Sequence, residues 1–515
     1  MNFRFCTVIL TSSLVLPLFG DIRLPAIIGD NMALQQNTEV SIWGWADPGE
    51  RIFLQPGWRR GGKYAGSSAI TDEEGRWHCT VHTPKAGGPY TLAIKGNDTV
   101  KLKNVVIGEV WLCSGQSNMD FPMTGQGENI PVHGGPDDVA KSANKSIRLF
   151  RTEWAVADQP LEDLEGKWVE CGPETVGSFS AVGYYFGREI HRSTGFPVGL
   201  ICSAYGGTAA QAWTRIDCMA EDDNLKPIID TFQRNLSEWT TSCKELEKQG
   251  QPNPPIPVGA RPEDKPAVLY NAMIAPLVNM TIKGVIWYQG ESNAGAAYLY
   301  RDLFPVMIQN WRCDFNNFEM PFYFVQLANH TSHAPGTEIL PYRGDPRGSH
   351  WAELREAQLM TIFLKNTGMA VAIDIGEANN IHPGNKRDVG QRLALWALAK
   401  DYGKDIQYSG PLYQGYKIED GKIRIIFSHI ASGLLFKGDK IRGISIAGKD
   451  KKFVWADAEI VDSRTLLVSS KDIKDPVAVR YAWDIDPENN IYNEEGLPAS
   501  PFRTDDWAGV TYGLR

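Results

Sequence analysis

Between residue 21 and about residue 104 the chain alternates apolar and polar positions with a period of two. The stretch "TEVSIWGWADPGERIFLQ" does so on both sides of Asp47-Pro48-Gly49, and "GRWHCTVHTPKAGGPYTLAIKG" does so on both sides of Gly87-Gly88-Pro89. Such alternation around turn residues predicts half-buried strands, and two sheets packed as a small sandwich bury their apolar faces. From Val105 the texture changes. Continuous apolar runs ("VVIGEVWLC", "PVGLICSAYGG", "IKGVIWYQG", "MPFYFVQLA", "GMAVAIDIG") now alternate with segments of helical period. The helical candidates are "AVGYYFGREIHRS", "AAYLYRDLFPVMIQNWR", "WAELREAQLMTIFLKN" and "KRDVGQRLALWALAKDYG". Apolar strands interleaved with helices predict an α/β domain: a parallel sheet covered on both faces.

Two further segments complete the pattern. From about Asp217 to Gln251 an amphipathic helical insertion runs into the Pro-rich "QPNPPIPVGARPEDKP", which predicts an irregular surface loop. From about Ile406 to Val479 β patterning returns, and the turn-rich tail "NIYNEEGLPASPFRTDDW" is expected to be tied down against a neighbour. The expected organisation is a leader at 1–20, a β-sandwich at 21–104, an α/β domain at 105–405 and a β-rich region with a docking tail at 406–515. A chain of 515 residues is too long for one core, which agrees with that division.

Charge and composition narrow the function. A formal net charge of −9 and the lack of any sustained Lys/Arg cluster argue against nucleic acid or an anionic membrane as partner. The leader "MNFRFCTVILTSSLVLPLFG" joins Arg4 to an apolar stretch too short and interrupted for a span, so it reads as a secretory signal cleaved near Gly20. The expected location is secreted or periplasmic, with no membrane attachment after cleavage. Without Cys6, seven of the eight Cys remain, with no Cys-x-x-Cys pair for structural zinc. Export permits disulfides; Cys113 and Cys202, in apolar runs, read as buried small hydrophobes.

In parallel α/β sheets, ligands bind beyond the carboxyl ends of the strands, which puts weight on the loops that follow them. Four stand out. "CSGQSNM" carries Gln116 and Ser117 after Gly115, a residue free to take unusual backbone angles. "YGGTAAQAW" carries Gly207 and Trp213. "WYQGESN" carries Gln289, Glu291 and Asn293. "AIDIGEANNIHPGNK" carries Asp374, Glu377 and His382. Acyl transfer needs a hydroxyl, a base and donors for a tetrahedral oxyanion. Ser117 can be the hydroxyl, His382 the base, and Gly207 and Asn293 the donors. Each alone is a turn former or packing residue, but four such types on four strand ends are a rarer coincidence. Trp213 and Trp287 could each offer a platform to a sugar, with core packing the simpler role for Trp287. Glu291 either borders the centre or braces the Gln289–Asn293 turn. The nine His form no tight ligand cluster, and this chemistry calls for neither metal nor cofactor.

With these residues in view, the chain resembles the SGNH hydrolase superfamily, and within it the sialate O-acetylesterase family of carbohydrate esterases. The resemblance is carried by "DNMALQQNTEVSIWGWADPGE", "AGGPYTLAIKG", "GEVWLCSGQSNMDFPM", "YGGTAAQAW", "LYNAMIAPL", "IKGVIWYQGESNAGAAYLY", "PFYFVQLAN", "REAQ", "IHPGNKRDVGQRLAL" and "GLPASPFRTD". It implies a three-layer SGNH domain flanked by small β units, Ser117 as nucleophile and His382 as base. It also implies an oxyanion hole from the Ser117 amide, Gly207 and Asn293. One departure matters. Many SGNH enzymes carry an Asp three residues before the His, and here Asn379 stands there. Asp374, Glu377, Glu291 or a backbone carbonyl are left to orient His382.

The expected function is a secreted O-acetylesterase acting on acetylated carbohydrates, O-acetylated sialic acids first. An acetylxylan or other plant-glycan esterase is the alternative substrate reading. A carbohydrate-binding protein without catalysis is the alternative class, separable by release of p-nitrophenol from its acetate ester.

Overall fold

The computed structural model describes residues 21–58, 67–127, 130–331 and 349–514. The expected leader and Cys6 lie outside the described residues. The spine of the fold is the strand Thr99–Gly115, 17 residues long. Its first half pairs antiparallel with Gly87–Lys95 of the N-terminal unit. Its second half pairs in parallel with Val198–Ala204 on one side and Gly284–Tyr288 on the other. The boundary expected at 104/105 therefore falls inside one continuous strand. The change in texture there has a physical reason: up to Asn104 the side chains reach solvent in alternation, and from Val105 onward every one is buried.

The α/β part of the sheet runs, in spatial order, Thr367–Val371, Phe322–Gln326, Gly284–Tyr288, Thr99–Gly115, Val198–Ala204, Asn144–Thr152 and Gly166–Cys171. All neighbours are parallel except the last pair. The two strands at that edge, Asn144–Thr152 and Gly166–Cys171, escape a hydropathy reading because Lys145, Arg148, Arg151, Lys167 and Glu170 interrupt them. Consecutive crossovers leave the central strand in opposite directions, and such a switch point opens a crevice at the carboxyl ends of the strands.

Helices cover both faces. On one, Trp111 of the spine packs edge-on against Phe186 of helix Ala181–Thr194, and Gly390 of helix Lys386–Lys400 lets that helix approach Val182 and Tyr185. On the other, Trp287 packs against Phe304 and Trp311 of helix Ala297–Asp314. The helices start where capping side chains allow. Ser180 accepts from the Gly183 amide, Ser349 from Ala352 and Asn385 from Asp388, each satisfying a first-turn N–H. In the N-terminal unit the expected alternation is visible directly: Arg51–Pro56 and Arg76–His82 each bury every second residue. All seven described Cys are free thiols, with Cys113 and Cys202 buried side by side in adjacent strands.

The C-terminal region forms two four-stranded sheets and a two-stranded one among the described residues, and its tail returns to helix His350–Thr361. There Arg355, wholly buried, donates to the carbonyls of Leu327, Ala328, Asp484 and Ile485. Burial pushes its pKa down to about 9. Four buried carbonyls thus depend on one guanidinium. Arg355→Met is expected to cost roughly 3–5 kcal/mol, since each orphaned buried acceptor costs about 1–3 kcal/mol and some find water. A denaturant-unfolding midpoint unchanged by the substitution would refute this.

Candidate active site

The spine ends in a turn that only glycine can make. Gly115 has φ +138°, and a Cβ there would lie 2.2 Å from the Tyr288 carbonyl oxygen. The chain then closes a short helix, Ser117–Asp120, whose position is fixed from several sides. The Gln116 amide donates to Tyr288 O at 3.0 Å, and Ser180, at the helix start behind, donates to Met119 O. The Ser117 hydroxyl is thereby held 2.8 Å from Nε2 of His382, 265 residues away in sequence.

Three N–H groups on the neighbouring turns have donor capacity to spare. The Ser117 and Gly207 amides donate to no acceptor among the described residues. Gly207 has φ +73°, with nothing near a would-be Cβ, and its neighbour Gly206 lies against Ser117. The Asn293 side chain is oriented by its own bonds. Its Oδ1 accepts from the Ala210 amide (2.9 Å) and Gln289 Nε2 (2.7 Å), so Nδ2 is turned outward. One of its hydrogens goes to Gln211 Oε1 at 3.0 Å, and the other is free to donate. The arrangement sets a hydroxyl against an imidazole, with unengaged N–H groups on the turns around them, which is the set of groups acyl transfer requires.

The remaining expected residues act at one remove. Gln116 Oε1 accepts from the Gly290 and Ser292 amides, and Gln289 ties Asn293 to Thr208 O and Tyr300. Glu377 accepts from the Gly384 amide and from Asn380 and lies 3.3 Å from His133 Nε2, which shapes the histidine loop without touching the His382 imidazole. Asp374 is locked to Arg392 at 2.6 Å. Neither is an orienting acid for His382, and among the described residues no carboxylate pairs with that imidazole. Asn380 holds the His382 backbone, not its ring. Trp213 needs correction as a substrate platform. It is fully buried, bonded to Thr208 Oγ1 and set edge-on to Trp287.

Two residues stand at the centre: Asn118, which the sequence places in the first strand-end loop without a role, and Lys386, which it does not mark. Asn118 donates to Glu291 Oε1 (2.6 Å) and Ile381 O (3.0 Å), and its Oδ1 accepts from the ammonium of Lys386. Lys386 is wholly buried over the rings of Phe121 and Tyr288. Glu291 so bridges to the neighbouring loop, while its Oε2 is buried with no hydrogen-bond partner among the described residues. No motif marks Lys386 as buried; at the first turn of a helix it reads as a solvated charge. A groove of about 1010 Å³ lies at the opposite ends of the strands. Its buried charges are already satisfied, Glu109 by Gln35, Gln36 and Tyr402, and Arg148 by Asn31 and Asn104. Among the described residues no helix is long and apolar enough to cross a membrane, and no three His, Cys, Asp or Glu are grouped as metal ligands.

The chain resembles known esterases over most of its length. A family model described as carbohydrate esterase, sialic acid-specific acetylesterase, matches residues 107–246 and 260–399. Sialate O-acetylesterases of Pongo abelii and Homo sapiens are each 29% identical to it, the alignments covering 93% of this chain and 92% of theirs. The crystal structure of a carbohydrate acetylesterase from Xanthomonas citri superposes with a TM-score of 0.79 at 35% identity, covering 95% of this chain and all of that one.

The electrostatics at His382 give a measurable expectation. Burial, and then the nearby Lys386 ammonium, lower its pKa to about 4. Lys386 itself is lowered to about 7 by burial, against the pull of Glu291 and Glu377, and its place at a helix N-terminus works the same way. A base must be neutral to accept a proton, so activity is retained while pH exceeds the His382 pKa and is lost below it. On p-nitrophenyl acetate, kcat/KM should hold from neutrality down to about pH 5 and fall through about pH 4. Lys386→Met should move that fall to higher pH. A wild-type midpoint near 6.5, the ordinary histidine value, would contradict the assignment.

Proposed function

The chain belongs to the sialic acid-specific acetylesterase family of carbohydrate esterases, and on that premise we propose that it deacetylates O-acetylated sialic acids through an acetyl-Ser117 intermediate. Ser117 Oγ attacks the acetyl carbonyl while His382 Nε2 takes its proton. The oxyanion forms among the N–H groups of Ser117, Gly207 and Asn293. Collapse breaks the C–O bond to the sugar, and His382 returns the proton to the departing alcohol oxygen. Water then attacks the acetyl-enzyme, giving its proton to the same imidazole, and acetate leaves as Ser117 is reprotonated.

The observation that carries this reading is the 2.8 Å approach of His382 Nε2 to Ser117 Oγ; the Ser117 and Gly207 amides, without an acceptor among the described residues, support it. Among the described residues no carboxylate pairs with the imidazole, so the reading is a dyad, with burial keeping the ring in the neutral form that accepts a proton. The sialic acid preference rests on the family and on the mammalian relatives. The Xanthomonas acetylesterase keeps other acetylated glycans in the comparison. Export is part of the proposal and rests on the charged and apolar pattern of residues 1–20.

Ser117→Ala is expected to lower kcat by roughly 10⁴–10⁶-fold with the fold intact, since this hydroxyl carries no core packing. Near wild-type turnover by the folded variant would remove Ser117 from the mechanism. Asn293→Ala should lower kcat by roughly 10²–10³-fold, the scale of one lost oxyanion donor. A rise in KM at unchanged kcat would instead make Asn293 a substrate-binding residue. Acetate release from O-acetylated sialosides and acetylated xylo-oligosaccharides in parallel decides the substrate.

A further inference from the structure

With Trp213 and Trp287 buried, the ester site is still not without an aromatic surface. Strand Asn144–Thr152 ends two residues before Trp154, at the carboxyl end of the sheet. Trp154 is 53% exposed, unusual for so large an apolar side chain beside a crevice. It is nevertheless held rigidly. Its ring stacks on Tyr205 at 4.6 Å between centroids and 21° between planes. Its indole N–H donates to Ala204 O at 3.1 Å. One face is thus occupied by Tyr205, and half of the residue's surface is left to solvent.

Its neighbours tie it to the chemistry. Tyr205 directly precedes Gly206 and Gly207, and its amide donates to the carbonyl of Gly115, at the turn before Ser117. Asp120, three residues beyond Ser117 in the same short helix, also meets the Trp154 side chain. The platform is therefore anchored to both the nucleophile turn and the oxyanion turn.

Two arginines near the rim are already matched among the described residues. Arg151 pairs with Asp120 at 2.6 Å, and Arg261, which also donates to Gly207 O, pairs with Asp264 at 2.7 Å. What the rim offers is an apolar, electron-rich face edged by polar groups. A pyranose ring is the complementary shape: its axial C–H bonds make one face apolar and slightly positive, and its hydroxyls lie around the edge.

We propose that Trp154, backed by Tyr205, is the stacking platform for the sugar ring that carries the ester. The inference rests on the reading of this site as a carbohydrate O-acetylesterase. Stacking holds the alcohol side of the ester while leaving the acetyl group to the Ser117 turn, so Trp154 governs recognition of the sugar and not the acyl chemistry.

The test compares wild type, Trp154→Ala and Trp154→Phe on three esters: p-nitrophenyl acetate, an O-acetylated sialoside and an acetylated xylo-oligosaccharide. On whichever sugar ester the wild type hydrolyses, Trp154→Ala should raise KM by about 10-fold, the scale of one lost aromatic contact, with kcat changed far less. The loss in kcat/KM should be several-fold larger on the sugar ester than on p-nitrophenyl acetate, and Trp154→Phe should recover part of it. Equal losses on both kinds of ester, or no loss on the sugar, would overturn the platform while leaving the esterase assignment standing. A wild type that cleaves p-nitrophenyl acetate and neither sugar ester would overturn the carbohydrate reading itself, and the platform with it.

Discussion

The site depends on a single amide side chain. Asn118 accepts from Lys386 and donates to both Glu291 and the carbonyl of Ile381, so it fastens the loops bearing Ser117, Asn293 and His382 to one another. The arrangement is costly in isolation. A buried ammonium and a buried carboxylate each lose several kcal/mol of hydration, and an amide between them recovers only part of that. Glu291 shows the strain of it: burial raises its pKa, and one oxygen has no hydrogen-bond partner among the described residues. What is gained is position. Three loops that leave three different strands could drift independently, whereas catalysis tolerates only about 0.5 Å of error. With Asn118 next to Ser117 in the chain, the hydroxyl cannot move unless the buried charges move too.

The same charges set the character of the base. A carboxylate behind a catalytic histidine raises its basicity and stabilises the imidazolium that forms. Here the group behind the dyad is a cation, and His382 is pushed down to about 4. The imidazole is therefore in the form that accepts a proton across the whole physiological range, but it is a weak base. In the proposed reaction, that weakness must be offset at the other end of the transition state. Lys386 disfavours the imidazolium, so in that proposal the N–H donors carry the compensation, at the developing negative charge.

Much of this was legible in the sequence, and the boundary of what was not is physical. Ser117, Gly207, Asn293 and His382 could be singled out because each follows an apolar strand, and strand ends in a parallel sheet converge. Period and turn chemistry are local signals, and these residues are marked locally. Lys386 and Arg355 were not marked, because their meaning lies in partners more than a hundred residues away, such as Asn118 and Asp484. Trp213 was misjudged for a related reason. It follows a glycine turn, as an exposed platform might, but its short helix packs under Trp287 and Trp311. Trp154 drew no notice in "RTEWAVADQ", and only its stacking on Tyr205 distinguishes it from an ordinary surface tryptophan. Likewise the expected boundary at Val105 followed a true change in burial along a strand that does not break.

The tail belongs to the same mechanical argument. Helix His350–Thr361 has two working faces. One meets the C-terminal region: Glu353 accepts from the amides of Val510 and Thr511, Glu356 pairs with Arg503 at 2.7 Å, and Arg355 holds Asp484 and Ile485. The other meets the site: Gln358 donates to the carbonyl of Gln289 and accepts from the Leu327 amide. Gln289 in turn orients Asn293. A set of hydrogen bonds thus runs from Val510 and Thr511, by way of this helix, to Asn293, the proposed oxyanion donor. The β-rich region contributes no group to the dyad. Its role in this architecture is to immobilise the helix on which the Gln289–Asn293 loop rests.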